Sequence, residues 1–181
     1  MALAETKKID VIDLKSQQRR IRASLEQRIT KVMDHGAYIM GPEIAELEEK
    51  LAKYVGVKHC VACASGTDAL LMPLMAYDIG PGDVIFTSPF TFIATAEVIA
   101  LLGAGVVFVD IDPRTYNIDP VKLDEAIQKF VKSNSGKKAK GIIPVDLFGQ
   151  TADYDPIETI AKEYGLFVLQ DAAQSFGGTY K

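Results

Sequence analysis

The sequence predicts an α/β protein with a mostly parallel sheet and helices on both faces. Beyond about residue 59, short apolar runs alternate with helical patterns in a repeated order of strand, loop and helix. The runs VVFV, GIIPV and LFVL are unbroken, as strands become when helices cover both sides of them. Glycine and proline fall between the runs and punctuate the alternation.

Two helices are expected first. From about Lys15 to His35, Ile21, Leu25, Ile29 and Val32 recur at helical spacing, and Gly36 supplies the stop. Gly41-Pro42-Glu43 opens the second, with Ile44, Leu47, Leu51 and Val55 as its apolar stripe and Gly56 as its end. Pro42 suits a first turn, where its missing N–H would have no partner anyway. His59 to Ala64 reads as a short strand, followed by a helix from Thr67 to Tyr77. Strands are expected at Asp83–Thr87, Val106–Val109, Gly141–Val145 and Leu166–Leu169. Helices are expected at Ala94–Leu102, Pro120–Val131 and Pro156–Tyr164. The polar stretch Lys132 to Lys140 reads as a solvated loop, and no internal repeat is present.

Composition narrows the class. The chain has 181 residues, enough to bury a sizeable core, and its apolar fraction of 48% and charged fraction of 24% suit an ordinary globular protein. With 20 Lys+Arg against 24 Asp+Glu, the net charge of −4 gives no electrostatic pull toward nucleic acid or an anionic membrane. Two cysteines cannot build a multi-bridge secreted framework, so a reducing compartment is expected. The start MALAETKKIDVIDLKSQQRR has basic residues with no apolar run behind them, unlike a signal peptide. No stretch approaches the roughly 18 apolar residues of a membrane span. A cytoplasmic, bacterial-type enzyme is the expectation.

In an open parallel sheet, ligands gather beyond the carboxyl ends of the strands, and three predicted strand ends carry chemistry. At Ser65-Gly66-Thr67-Asp68, a turn of small residues exposes the N–H groups of a helix N-terminus, which suits a phosphate. The plainer reading is that Ser65 or Thr67 caps the helix. At Ser88-Pro89-Phe90-Thr91-Phe92, an aromatic ring could stack on a flat heteroaromatic ligand, or could belong to the core. At Asp171-Ala172-Ala173-Gln174, a carboxylate after a buried strand could pair with a cationic ring nitrogen, with Gln174 as a neutral donor beside it. A helix cap is the alternative there. Together the three describe an anion cradle, a stacking face and a carboxylate, which suits a planar, phosphorylated, protonatable cofactor.

Other candidates carry less. Cys60 and Cys63 form a CxxC beside His59, but odd spacing on a strand sends the two thiols to opposite faces, and no second CxxC exists. Gly103 and Gly105 precede a strand instead of linking strand to helix, the wrong order for a dinucleotide fingerprint. Asp110 and Asp112 read as the end of a strand and the start of a turn. With only His35 and His59, no Ser/His/Asp arrangement can be built. No metal site is expected.

Four segments in order, YIMGPEIAELEEKLAKYVGVKHCVACASGTDAL, SPFTFIATAEVIALLGAGVVFVDIDPRTYNID, IIPVDLFGQTADYDPI and DAAQSFGGTYK, resemble the DegT-type sugar aminotransferases. These are fold type I enzymes that use pyridoxal 5′-phosphate (PLP). The resemblance covers nearly the whole chain. It implies that Gly66, Thr67 and Asp68 hold the PLP phosphate and that Phe92 stacks on the pyridine ring, where relatives often have Tyr or Trp. It implies that Asp171 pairs with the pyridinium nitrogen and that Gln174 lies near the phenolic oxygen. Gln170 stands where many relatives have Glu.

By the same resemblance, residues 1–40 form a helical segment and a substrate-side loop at Tyr38-Ile39-Met40-Gly41, and 41–181 form the first part of the PLP-binding large domain. The Schiff-base lysine of the family is expected beyond Lys181, which itself reads as a surface residue, so that this chain alone is expected to be inactive. The implied reaction takes an amino group from glutamate to a keto-sugar nucleotide, in a homodimer when intact. Within the family the likeness is greatest to a member that makes a 3-amino sugar nucleotide for lipopolysaccharide O-antigen. A 4-keto-6-deoxy sugar nucleotide is the alternative substrate, and a lysine-less paralogue serving as an interaction module is the alternative of another class.

Overall fold

The computed structural model describes residues 11–181, so the first half of the basic start lies outside the described residues. The described chain divides into two compact units, one running to Cys60 and one spanning Val61–Lys181.

The first unit is helical. Helix α1, Leu14–His35, begins where the Asp13 side chain accepts the Ser16 N–H at 3.0 Å and ends at Gly36, which donates its N–H to the Val32 carbonyl and turns the chain out of the helix with a positive φ of 66°. Helix α2, Pro42–Val55, has Pro42 in its first turn and ends at Gly56. Gly41 is demanded by sterics: a Cβ there would lie 2.3 Å from the Ala37 carbonyl oxygen. The two helices are joined by the Arg28 guanidinium, which donates twice to the Glu46 carboxylate at 2.9 and 3.0 Å. Helix α1 buries no residue, and the predicted stripe of Ile21, Leu25 and Ile29 is exposed.

The second unit holds helix α3, Gly66–Ala76, then strand β1, Asp83–Thr87, helix α4, Ala94–Leu101, and strand β2, Gly105–Phe108. Helix α5, Pro120–Lys132, strand β3, Lys138–Ile143, helix α6, Tyr154–Tyr164, and strand β4, Phe167–Val168, complete it. All four strands are parallel, in the order β2-β1-β3-β4. Period-two alternation splits the interior into two layers. Val84 and Phe86 of β1 and Ile142 of β3 pack with Leu123 and Ile127 of α5 and Ile157 and Ala161 of α6. Ile85 and Ile143 face the other way, onto Leu70 and Leu74 of α3 and Val98 and Ile99 of α4. Both faces are therefore covered, which is why these strands read as unbroken apolar runs.

Two expectations fail. His59 to Ala64 forms no strand: a strand needs a neighbour to pair with, and the four-stranded ladder does not extend to this segment. The assignment of Cys60 and Cys63 to opposite faces of a strand falls with it; the Cys63 thiol instead donates to the Ser65 carbonyl at 3.2 Å. Strand β3 occupies Lys138–Ile143 in place of Gly141–Val145, so the end of the predicted Lys132–Lys140 loop is strand. Its polar start, KAK, is hidden from a reading based on apolar runs because that end is partly exposed. Val145 keeps one isolated bridge, to Asp171.

Candidate functional site

The topology marks the place before any side chain does. Strands β1 and β3 are neighbours, yet the chain leaves β1 into α4 on one face and leaves β3 toward α6 on the other. That is a topological switch point, the crevice where open α/β sheets bind ligands. Beyond the carboxyl ends of β1, β3 and β4 lies a cleft of about 330 Å³ lined by Pro89, Phe90, Thr91, Phe92, Leu147, Phe148 and Gln174. Phe92 and Gln174, predicted from separate strand ends, meet in it.

Phe92 is not a core residue: 70% of it is exposed, leaving a free ring on the cleft wall. Asp171 is buried, and it caps no helix. Its carboxylate accepts the Thr95 hydroxyl at 3.0 Å and the Ala173 N–H at 3.2 Å, both neutral donors. Thr95 in turn bonds Thr91 of the cleft wall at 3.1 Å. Gln174 uses its amide oxygen to accept the Phe148 N–H at 2.6 Å, which leaves its NH₂ as the group with hydrogens to offer.

Gly66, Thr67 and Asp68 form the first turn of α3 and are not among the residues lining this cleft. Ser65 is the cap: its hydroxyl oxygen accepts the Asp68 N–H at 3.1 Å and its hydrogen goes to the Asp68 carboxylate at 2.9 Å. The N–H groups of Gly66 and Thr67, as the first two helical residues, have no intrahelical acceptor. Cap and anion cradle are thus compatible on one turn. Lys181 is exposed and pairs with Asp155, as a surface residue does, and that carboxylate holds its ammonium above the usual lysine range.

Sequence reasoning passed over the groups that fasten the site. Asp146, with no exposure, accepts four hydrogen bonds beyond the end of β3. Asn117 accepts the Leu147 N–H at 3.1 Å and donates to the carbonyls of Gln150 and Thr151 at 3.0 and 3.1 Å. Phe148, held between these anchors, has a positive φ of 57°, a strained value for an aromatic residue. Its ring meets those of Phe90 and Tyr116 at 6.3 and 6.1 Å. Burial, and then donation to Asp146, pushes the Tyr154 hydroxyl well above the ordinary phenol range. The only sequence signal for this network is a run of polar residues amid apolar ones, in VDLFGQTADYD and QDAAQS.

Among the described residues no His, Cys, Asp and Glu are grouped to hold a metal ion, and no helix is long and apolar enough to cross a membrane. The fold is that of part of an aminotransferase: residues 19–181 match the DegT/DnrJ/EryC1/StrS aminotransferase family, and the chain belongs to it. Among curated relatives it is 54% identical, over 96% of its own length, to the UDP-2-acetamido-2-deoxy-3-oxo-D-glucuronate aminotransferase of Pseudomonas aeruginosa, of which it covers 46%. A solved aminotransferase of the family from Brucella abortus superposes with a TM-score of 0.90 at 52% identity, over 93% of this chain and 45% of that one. NtdA from Bacillus subtilis, solved with bound cofactor PMP, superposes with a TM-score of 0.87 at 31% identity, over 97% of this chain and 39% of that one. The chain spans about half the length of the relatives it matches.

Proposed function

We propose that the chain holds PLP for a nucleotide-sugar aminotransferase that moves an amino group from glutamate to a UDP-3-keto-N-acetylhexuronic acid, for lipopolysaccharide O-antigen sugars, within a cytoplasmic homodimer. The observation that carries the cofactor is Asp171: a buried carboxylate at a strand end with only neutral donors on it, next to a cleft walled by an exposed aromatic ring. An uncompensated buried carboxylate favours a cationic partner, and a pyridinium nitrogen is one. The 54% identity to the P. aeruginosa enzyme supports the choice of sugar.

Each residue then has a job. Asp171 holds the ring nitrogen in its protonated form, with Thr95 fixing one carboxylate oxygen. Phe92 presents a flat apolar face to the ring. Gln174 offers its NH₂ to the phenolic oxygen, its own oxygen being engaged by Phe148. The N–H groups of Gly66 and Thr67 and the turn at Asp68 receive the phosphate. When bound, PLP supplies an electron sink for the carbon that exchanges its amino group.

The test is a PLP titration by equilibrium dialysis and tyrosine fluorescence, the chain having no tryptophan. Saturable 1:1 binding is expected. Phe92→Ala weakens it by about 2- to 10-fold, the worth of one ring stacking contact, without a change in melting temperature. Asp171→Asn weakens it further. Absence of saturable binding by the folded protein overturns the cofactor reading. For the substrate, a chimera joining this chain to the remaining length of the P. aeruginosa relative is expected to aminate the UDP-3-keto sugar. A preference for a dTDP-4-keto-6-deoxy sugar would refute that choice.

A further inference from the structure

We propose that Asp146 is a positioning residue for Asp171 and Gln174, a reading that rests on the cofactor assignment above. The two oxygens of Asp146 serve different parts of the chain. Oδ1 accepts the Ala152 N–H at 2.9 Å and the Tyr154 hydroxyl at 2.7 Å, both from the segment that enters α6. Oδ2 accepts the Gln170 side-chain amide at 2.6 Å and the Ser175 hydroxyl at 2.7 Å, from either side of the 171–174 turn.

The backbone reinforces the second pair. The Asp146 N–H donates to the Asp171 carbonyl at 3.0 Å, and the Asp171 N–H donates to the Pro144 carbonyl at 2.9 Å. The turn is thus fixed at Asp171 by main chain and at its two flanks, Gln170 and Ser175, by one carboxylate. Gln174 precedes Ser175 directly, so the hold on Ser175 sets where its amide reaches. Asp146 has no exposure, and all four of its donors are neutral. Only a carboxylate accepts on both sides. An asparagine offers one oxygen and turns N–H groups toward two donors, so it must release either the α6 segment or the turn.

The test compares variants for PLP affinity, for thermal melting without cofactor, and for the ring-nitrogen resonance of bound ¹⁵N-labelled PLP. Asp146→Asn is expected to raise the Kd for PLP about tenfold, the scale of one lost charge-assisted hydrogen bond, and to move the resonance toward that of the free cofactor. Ser175→Ala, which frees only the turn side and keeps the carboxylate, is expected to do both to a smaller degree; it decides the matter if Asp146→Asn does not fold. Tyr154→Phe frees only the α6 side and is expected to lower the melting temperature while affinity and resonance stay at wild-type values. If Ser175→Ala and Tyr154→Phe weaken PLP binding only in proportion to their loss of melting temperature, Asp146 is merely structural and the proposal is overturned. If Asp146→Asn and Ser175→Ala match wild type while Asp171→Asn shifts the resonance, the positioning role fails and the cofactor reading stands. If wild type binds no PLP, the cofactor reading fails first.

Discussion

Thr95 has no exposure and gives its hydroxyl hydrogen to a buried carboxylate oxygen of Asp171. Hydrogen bonds to charged groups are worth about 1.5–3 kcal/mol, and removing the donor leaves the buried acceptor short of a partner. Thr95→Val keeps the volume and is expected to lower the unfolding free energy by about that amount in urea titrations. An unchanged midpoint would mean that water replaces the hydroxyl. At this scale the sequence was legible in its positions: a ring or a polar group just past a predicted strand end falls at the cleft. Phe92 and Gln174 line the cleft, and Asp171 is buried beside it. Asp146 was not legible, because its four donors are dispersed over Ala152, Tyr154, Gln170 and Ser175 and only the fold gathers them.

Elements were legible where their ends are punctuated locally. Gly36, Gly56 and Gly165 take left-handed conformations after α1, α2 and α6, and Pro42 and Pro120 sit in first turns, so those boundaries fall close to expectation. Strands depend on partners that no local pattern names, which is why 59–64 and the start of β3 depart from expectation. One such partnership is tight: Gly141 of β3 pairs with Phe167 of β4, and a Cβ at Gly141 would sit 2.3 Å from the Phe167 ring. That ring lies flat on Tyr77 at 4.1 Å and has little freedom to retreat. Gly141→Ala is therefore expected to cost about 1–3 kcal/mol, read from chemical denaturation. A neutral or stabilising result would show that the Phe167–Tyr77 pair slides.

The pairing of α1 with α2 has a pH signature. Hydrogen bonds from Arg28 and Lys50 lower the Glu46 carboxyl from its ordinary 4.5 to about 2. A group with a lowered folded pKa adds stability that is fully present above its unfolded value and is lost as pH falls through the folded one. The contribution of Glu46 should hold above pH 4.5 and fade toward about pH 2. Wild type and Glu46→Gln, compared by helical circular dichroism, should differ above that window and converge at its lower end. A constant difference across the window would refute the assignment.

At the scale of the whole molecule, stability is unevenly spread. Both packed layers lie in the Val61–Lys181 unit, whereas α1 buries no residue and α2 buries only Ala52. Amide exchange tracks local burial and packing. Amides of β1 and β3 are expected to be the slowest in hydrogen–deuterium exchange, and those of α1 among the fastest helical ones. Equal protection in α1 and β1 would contradict this.

The strand order has a consequence for synthesis. Strand β1 lies inside the sheet, yet both of its neighbours, β2 and β3, follow it in the chain. As a nascent chain leaves the ribosome, Val84-Ile85-Phe86 emerges with both ladder edges open, an apolar segment that waits for partners not yet translated. The turn at 171–175 follows all four strands in the chain, so Gln174 is the last of the cleft-lining residues to be made.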